Sequence, residues 1–195
     1  AFDGKPLFHV RLLRTELSAY LLLEVHHILA DGESVMVLLP EIDRAYGGEV
    51  LEEEAYTAFD LALDEADARR TGALAKAKAY YDSVFQGVSV DSLPAPDVFD
   101  RESSLRNLRL PLGLKPESLQ ELCKQQQITE NAFFTGTFGL LLARFAGMDE
   151  AVFTTIYNGR TDPRTFEMAG MLVKTLPVYA AAAPEKSVTD YLREL

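Results

Sequence analysis

The strongest constraint on the fold is a change of pattern at residue 26. Tyr20-Leu21-Leu22-Leu23-Glu24-Val25 is a nearly continuous apolar run, the pattern of a strand buried on both faces. His26-His27-Ile28-Leu29-Ala30-Asp31-Gly32 breaks it and reads as a loop. Beyond the break, Val35, Leu38, Leu39, Ile42 and Tyr46 recur at three- and four-residue steps. That spacing predicts a helix over residues 33–46, which Gly47-Gly48 ends. Residues 6–15 form another apolar, strand-like segment before the one at 18–26, across Glu16-Leu17-Ser18, so the two are expected to pair as an antiparallel hairpin.

The remainder alternates in the same way. Residues 55–86 read as two helical pieces divided by Gly72, with Tyr56, Phe59, Leu63 and Ala66 as the apolar stripe of the first. Residues 87–104 hold Gly87, Pro94 and Pro96 among Ser and Asp, which marks a linker between two lobes. A strand over 105–112 follows. Pro116 opens a helix to about residue 127, and Thr129 caps the next. Phe133, Phe134, Phe138, Leu141, Leu142 and Phe145 should be its buried side. Strands are expected over 151–157 and 172–180, with Asn158-Gly159-Arg160 as a turn between them. Pro177 places the second of these at an edge or a bulge. Ser187 caps a last helix.

Charge and composition exclude several classes. Thirty acids against nineteen bases give a net charge of −11, which disfavours nucleic acid, whose binders need a basic face. The acidic run Glu49–Glu54 reads as a solvated helix start. No run of about 18 apolar residues is present, so no membrane span is expected. The single Cys123 has no partner for an internal disulfide. It reads as a half-buried structural thiol, and a reducing cytoplasm is the default compartment.

The chemistry concentrates in His26–Gly32. Adjacent histidines at a strand end point to opposite faces and do not readily share a metal ion; no cysteine cluster stands nearby, so no metal is expected. No Gly-x-Ser-x-Gly elbow supports a covalent mechanism. General base chemistry remains, because a histidine accepts a proton near neutral pH. If one ring faces a cleft, the other faces the protein and needs a hydrogen-bond partner. The residues alone leave His27 as either a base or a core or surface histidine. They leave Asp31 as either a helix N-cap or a buried carboxylate paired with an arginine. Gly32 supplies backbone freedom at the turn.

HHILADGES resembles the core motif of nonribosomal peptide synthetase condensation domains, within the chloramphenicol acetyltransferase-like superfamily. The preceding strand and the following VMVLLPEIDRAYGG helix are similar to the family as well. Tyr56-Thr57-Ala58-Phe59-Asp60 resembles its Tyr-x-Asp-Tyr-Ala element, Asn158-Gly159-Arg160 its Gly-Arg turn, and Gly170–Pro177 its Gly-x-Phe-Val-Asn-Thr-Leu-Pro segment. The resemblance implies an α/β fold of two acetyltransferase-like lobes with an active-site tunnel between them. Residues 1–90 would be the C-terminal part of the first lobe, 91–104 the inter-lobe linker and 105–195 the N-terminal part of the second. The chain would thus be a central fragment of the domain.

The implied reaction is amide-bond formation between a carrier-bound donor acyl or peptidyl thioester and the amine of a carrier-bound aminoacyl acceptor. Donor and acceptor peptidyl carrier proteins and a neighbouring adenylation domain would be partners. Both substrates would arrive on phosphopantetheine arms, with no cofactor bound directly. By position, His27 would take the proton of the attacking amine, or hold the amine and stabilise the tetrahedral intermediate. His26 would be structural, Asp31 would pair with Arg160 to hold the loops of the two lobes in register, and Gly32 would leave room for the pantetheine arm. Lys174 stands where the family usually carries Asn, so a charge either sits near the tunnel or snorkels outward.

Three rival readings remain. A stand-alone acyltransferase of the same superfamily would use the same His and Asp with acyl-CoA or a carrier-bound acyl group. An epimerization domain shares the motif but tends to carry a Gly-Trp-Phe-Thr-like segment where this chain has Gly170–Thr175. A non-catalytic fragment would dock a carrier through Arg69, Arg70, Lys76 and Lys78, residues otherwise read as solvated helix charge.

Overall fold

The computed structural model describes residues 4–88, 107–181, 183 and 185–195. Strands β1 (Phe8–Arg14) and β2 (Ala19–Val25) form the antiparallel hairpin, with Phe8 opposite Val25 and Arg14 opposite Ala19. Helix α1 (Gly32–Tyr46) follows the loop, then α2 (Ala58–Thr71) and α3 (Ala75–Val84). Later come α4 (Pro116–Gln126), α5 (Glu130–Ala146), β3 (Glu150–Tyr157), β4 (Lys174–Ala181) and α6 (Val188–Glu194). β3 and β4 form a second two-stranded sheet.

Local chemistry sets these boundaries. The Asp31, Thr57, Thr129 and Ser187 side chains accept from backbone amides in the first turns of α1, α2, α5 and α6, satisfying donors that a helix start leaves open. Gly72 and Gly147 end α2 and α5 in the left-handed conformation. Pro116 sits in the first turn of α4, where its missing N–H costs no bond.

Several expectations are corrected. Both faces of β2 are exposed rather than buried, because its sheet has two strands and no layer covers either face among the described residues. The strand expected over 105–112 is not formed over 107–112, where Leu108, Leu110 and Leu112 are exposed. An alternating pattern makes a strand only where a neighbour pairs with it; residues 105 and 106 lie outside the described set, as does the expected linker 91–104. Phe59 and Leu63 of α2 point outward, and the less exposed side carries Leu61, Glu65 and Ala68. Cys123 is buried, not half-buried.

The largest correction concerns α5. Its buried side is Gly136, Gly139, Leu142 and Ala143, while Phe134, Phe138, Leu141 and Phe145 are exposed. The glycines let α6 and β4 approach closely. A Cβ on Gly136 would lie 2.4 Å from Leu192 Cδ2, and one on Gly139 would lie 2.6 Å from Ala180 Cβ. Into this contact Tyr191 donates its hydroxyl to Gly136 O at 2.7 Å. Ala180, Tyr191 and Leu192 form the buried cluster there.

The chain divides into two compact units. One holds the described residues of Ala1–Lys78 with Ile156–Thr175, the other those of Ala79–Thr155 with Leu176–Leu195. Ile156–Thr175 therefore groups with the HHILADG segment, although a boundary at 91–104 sets it apart. Hydrogen bonds from Arg160, Leu172 and Val173 to Asp31 join these segments.

Candidate active site

Two attachments hold the loop between β2 and α1. At its start His26 N–H donates to Leu7 O at 2.7 Å, continuing the hairpin ladder. At its end Asp31 caps α1. Between them Leu29 N–H donates to His26 O at 2.9 Å, closing a turn, and Ile28 N–H donates to His26 Nδ1 at 3.1 Å. That bond fixes Nδ1 of His26 as an acceptor. Both histidines are exposed among the described residues. His27 stands at a cleft of about 600 Å³ lined by Leu21, Leu23 and Val25 of β2 and by Val35 and Leu38 of α1. Asp31 and Gly32 border the same cleft.

Asp31 is the centre of the site and is almost fully buried. Arg160 meets it bidentately, Nη1 to Oδ2 at 2.9 Å and Nη2 to Oδ1 at 3.1 Å. Leu172 and Val173 donate backbone N–H groups to Oδ2 at 3.0 and 3.2 Å. Ser34 N–H donates to Oδ1 at 2.9 Å. Such charge-assisted bonds are the strong ones. Both partners lie in the same compact unit, so the pair ties two distant segments within that unit. Arg160 also donates to Met168 O at 3.2 Å, and its Nε has no acceptor among the described residues.

Gly159 is positive-φ, and a Cβ there would lie 2.1 Å from Leu172 O. No other residue fits this crossing, which presents Arg160 to Asp31. Gly32 differs from its expected role. It is the first residue of α1 and is not among the left-handed glycines; a Cβ on it would meet nothing within 4 Å. The space beside it is open, and its backbone is one that other residues adopt. Lys174 pairs with Glu65 of α2 at 2.5 Å, both side chains about half exposed.

Ser34 is the last residue of the HHILADGES segment. It is the third residue of α1, the position that completes a capping box, and the box here is built with Ser in place of the usual Glu or Gln. That position was the available signal.

Burial pushes the Asp31 carboxyl up, but the Arg160 hydrogen bond, then those of Ser34 and Leu172, outweigh it and hold the carboxyl well below the usual carboxylate range. A folded-state pKa below the unfolded value, about 3.9, means stability that is complete above that value and is lost as pH falls toward the folded one. Acid titration of stability below about pH 4 is therefore expected to be steeper in the native protein than in Asp31→Asn, measured by denaturant unfolding. Equal slopes would contradict the assigned carboxylate.

A family model described as "Condensation domain" matches residues 2–195. Tyrocidine synthase 2 of Brevibacillus parabrevis is 30% identical over 196 residues, covering 97% of this chain and 5% of that protein. Surfactin synthase subunit 1 of Bacillus subtilis (strain 168) is 28% identical, covering 99% of this chain and 6% of the other. Among solved structures, the epimerization domain from the third module of tyrocidine synthetase B superposes with a TM-score of 0.76 at 19% identity, covering 97% of this chain and 47% of that one. The first condensation domain of the calcium-dependent antibiotic synthetase, in complex with a substrate analogue, gives 0.69 at 20%, covering 96% and 45%. These likenesses establish the α/β, chloramphenicol acetyltransferase-like fold. The chain spans under half the length of those structures and about a twentieth of the curated relatives.

Proposed function

Because the chain belongs to the condensation domain family of nonribosomal peptide synthetases, we propose that it supplies the base-bearing loop of an amide-forming acyltransferase. The observation carrying this reading is the placement of His27: exposed at an apolar cleft, on a loop fixed at one end by the hairpin and at the other by the buried Asp31–Arg160 pair. The acceptor amine attacks the donor thioester carbonyl carbon, the C–N bond forms and the C–S bond breaks. His27 takes the amine proton or holds the amine while the tetrahedral intermediate forms, and the proton passes to the departing thiolate. Asp31 and Arg160 are architectural. The open space at Gly32 suits a phosphopantetheine arm passing close to the backbone. Donor and acceptor carrier proteins deliver the substrates, and an adenylation domain loads the acceptor.

The test is single-turnover transfer in a full condensation domain carrying this sequence, with donor and acceptor carriers loaded and the acceptor followed by intact mass. Acyl transfer to the acceptor supports the reading. Transfer from acyl-CoA to a free amine, without carriers, would favour a stand-alone acyltransferase. Carrier binding without transfer across several substrate pairs would favour a docking role.

A further inference from the structure

Ser34 is fully buried, and its hydroxyl touches both segments of the site. It accepts from Gly170 N–H at 3.0 Å, from Arg160 Nη2 at 3.3 Å and from Asp31 N–H at 3.3 Å. It has one proton and two acceptors at the same distance, Asp31 Oδ1 and Gly170 O, each at 2.8 Å. Asp31 N–H also reaches Gly170 O at 3.3 Å. Among these described contacts Ser34 is the side chain that bonds Gly170 on both its N–H and its C=O.

The geometry points to Ser34 as the positioning residue of the His27 loop, acting through Asp31 and Gly170. The hairpin ladder at Leu7 fixes the loop's start. Its end is held at Asp31 by Arg160 and by the amides of Leu172 and Val173, and the Ser34 hydroxyl adds the side-chain link between Asp31 and Gly170. A hydroxyl able to donate either way keeps both satisfied if the segments shift slightly, whereas a methyl group leaves Gly170 N–H unpaired in a buried place. The role assigned to the loop rests on the function proposed above; the mechanical claim does not.

The experiment compares wild type with Ser34→Ala and Ser34→Cys in a full condensation domain carrying this sequence. The rate of His27 carbethoxylation by diethyl pyrocarbonate is read by peptide mass spectrometry against His9, an exposed histidine on β1 held opposite Glu24 in the hairpin. The His27:His9 ratio is expected to change about threefold or more in Ser34→Ala, with Ser34→Cys between, since a thiol is a weaker donor. Single-turnover transfer is expected to fall by about ten- to a hundredfold with half-saturating carrier concentrations unchanged, the size of effect that misplacing a catalytic group produces. An unaltered ratio in whichever variant folds overturns the proposal, even where the melting temperature drops. A changed ratio in a domain whose wild type transfers nothing leaves the positioning role standing and removes the proposed function alone.

Discussion

Asp31→Ala is expected to lower folding stability by about 3–5 kcal/mol, the cost of removing one side of a buried ion pair. The loss has three parts in the structure. The Arg160 guanidinium keeps its charge in a nearly buried place, with Met168 O and Ser34 Oγ among its remaining partners. The amides of Leu172 and Val173 lose their acceptor. Helix α1 loses its cap, worth about 1 kcal/mol alone. Arg160→Ala leaves the opposite charge, but Asp31 keeps the amides of Ser34, Leu172 and Val173, so the loss is expected to be smaller. The double replacement is expected to cost less than the two single losses added, because it leaves no unpaired charge. Equilibrium unfolding in denaturant gives all three values. Normal solubility and an unchanged midpoint for Asp31→Ala would refute the pairing.

The elements most legible in the sequence were those bounded by local chemistry. The helix starts at Pro116, Thr129 and Ser187, the break at Gly72 and the 16–18 turn of the hairpin depend on neighbours in the chain, and they lie where those residues place them. Burial was less legible, because it depends on what a surface meets. In α5 Phe134, Phe138 and Phe145 lie on the exposed face while Phe133 packs partly buried against the core; the inward side carries Gly136 and Gly139, which are small because Leu192, Ala180 and Tyr191 press against them, and Ala143, which packs with Leu142 and Ala151. The apolar run of β2 was read as doubly covered, yet a run of Leu records hydrophobicity and not what lies over it.

At the site, the loop containing His27 and Asp31 was legible as a break between strand and helix. The partner of Asp31 lies 129 residues away, and no local pattern points to Arg160; family resemblance supplied it. Ser34 closes the HHILADGES segment, but its bonds to Gly170, 136 residues distant, leave no local pattern.

His27→Ala carries the other large expected effect, on rate rather than stability. The ring is exposed, so its removal leaves no cavity and strands no buried group. Loss of a general base typically costs about 10²–10⁴-fold, and the mutant should melt with the wild type. The contrast with Asp31→Ala separates the two roles: one replacement is expected to weaken the fold and the other to lower the rate. The most direct test of the account is single-turnover acyl transfer between loaded donor and acceptor carriers, wild type against His27→Ala, in a full condensation domain carrying this sequence. The account predicts transfer by the wild type and its loss, by at least about a hundredfold, in a mutant that remains folded. Transfer that survives the replacement would contradict it, removing His27 as the essential base while leaving the fold in place.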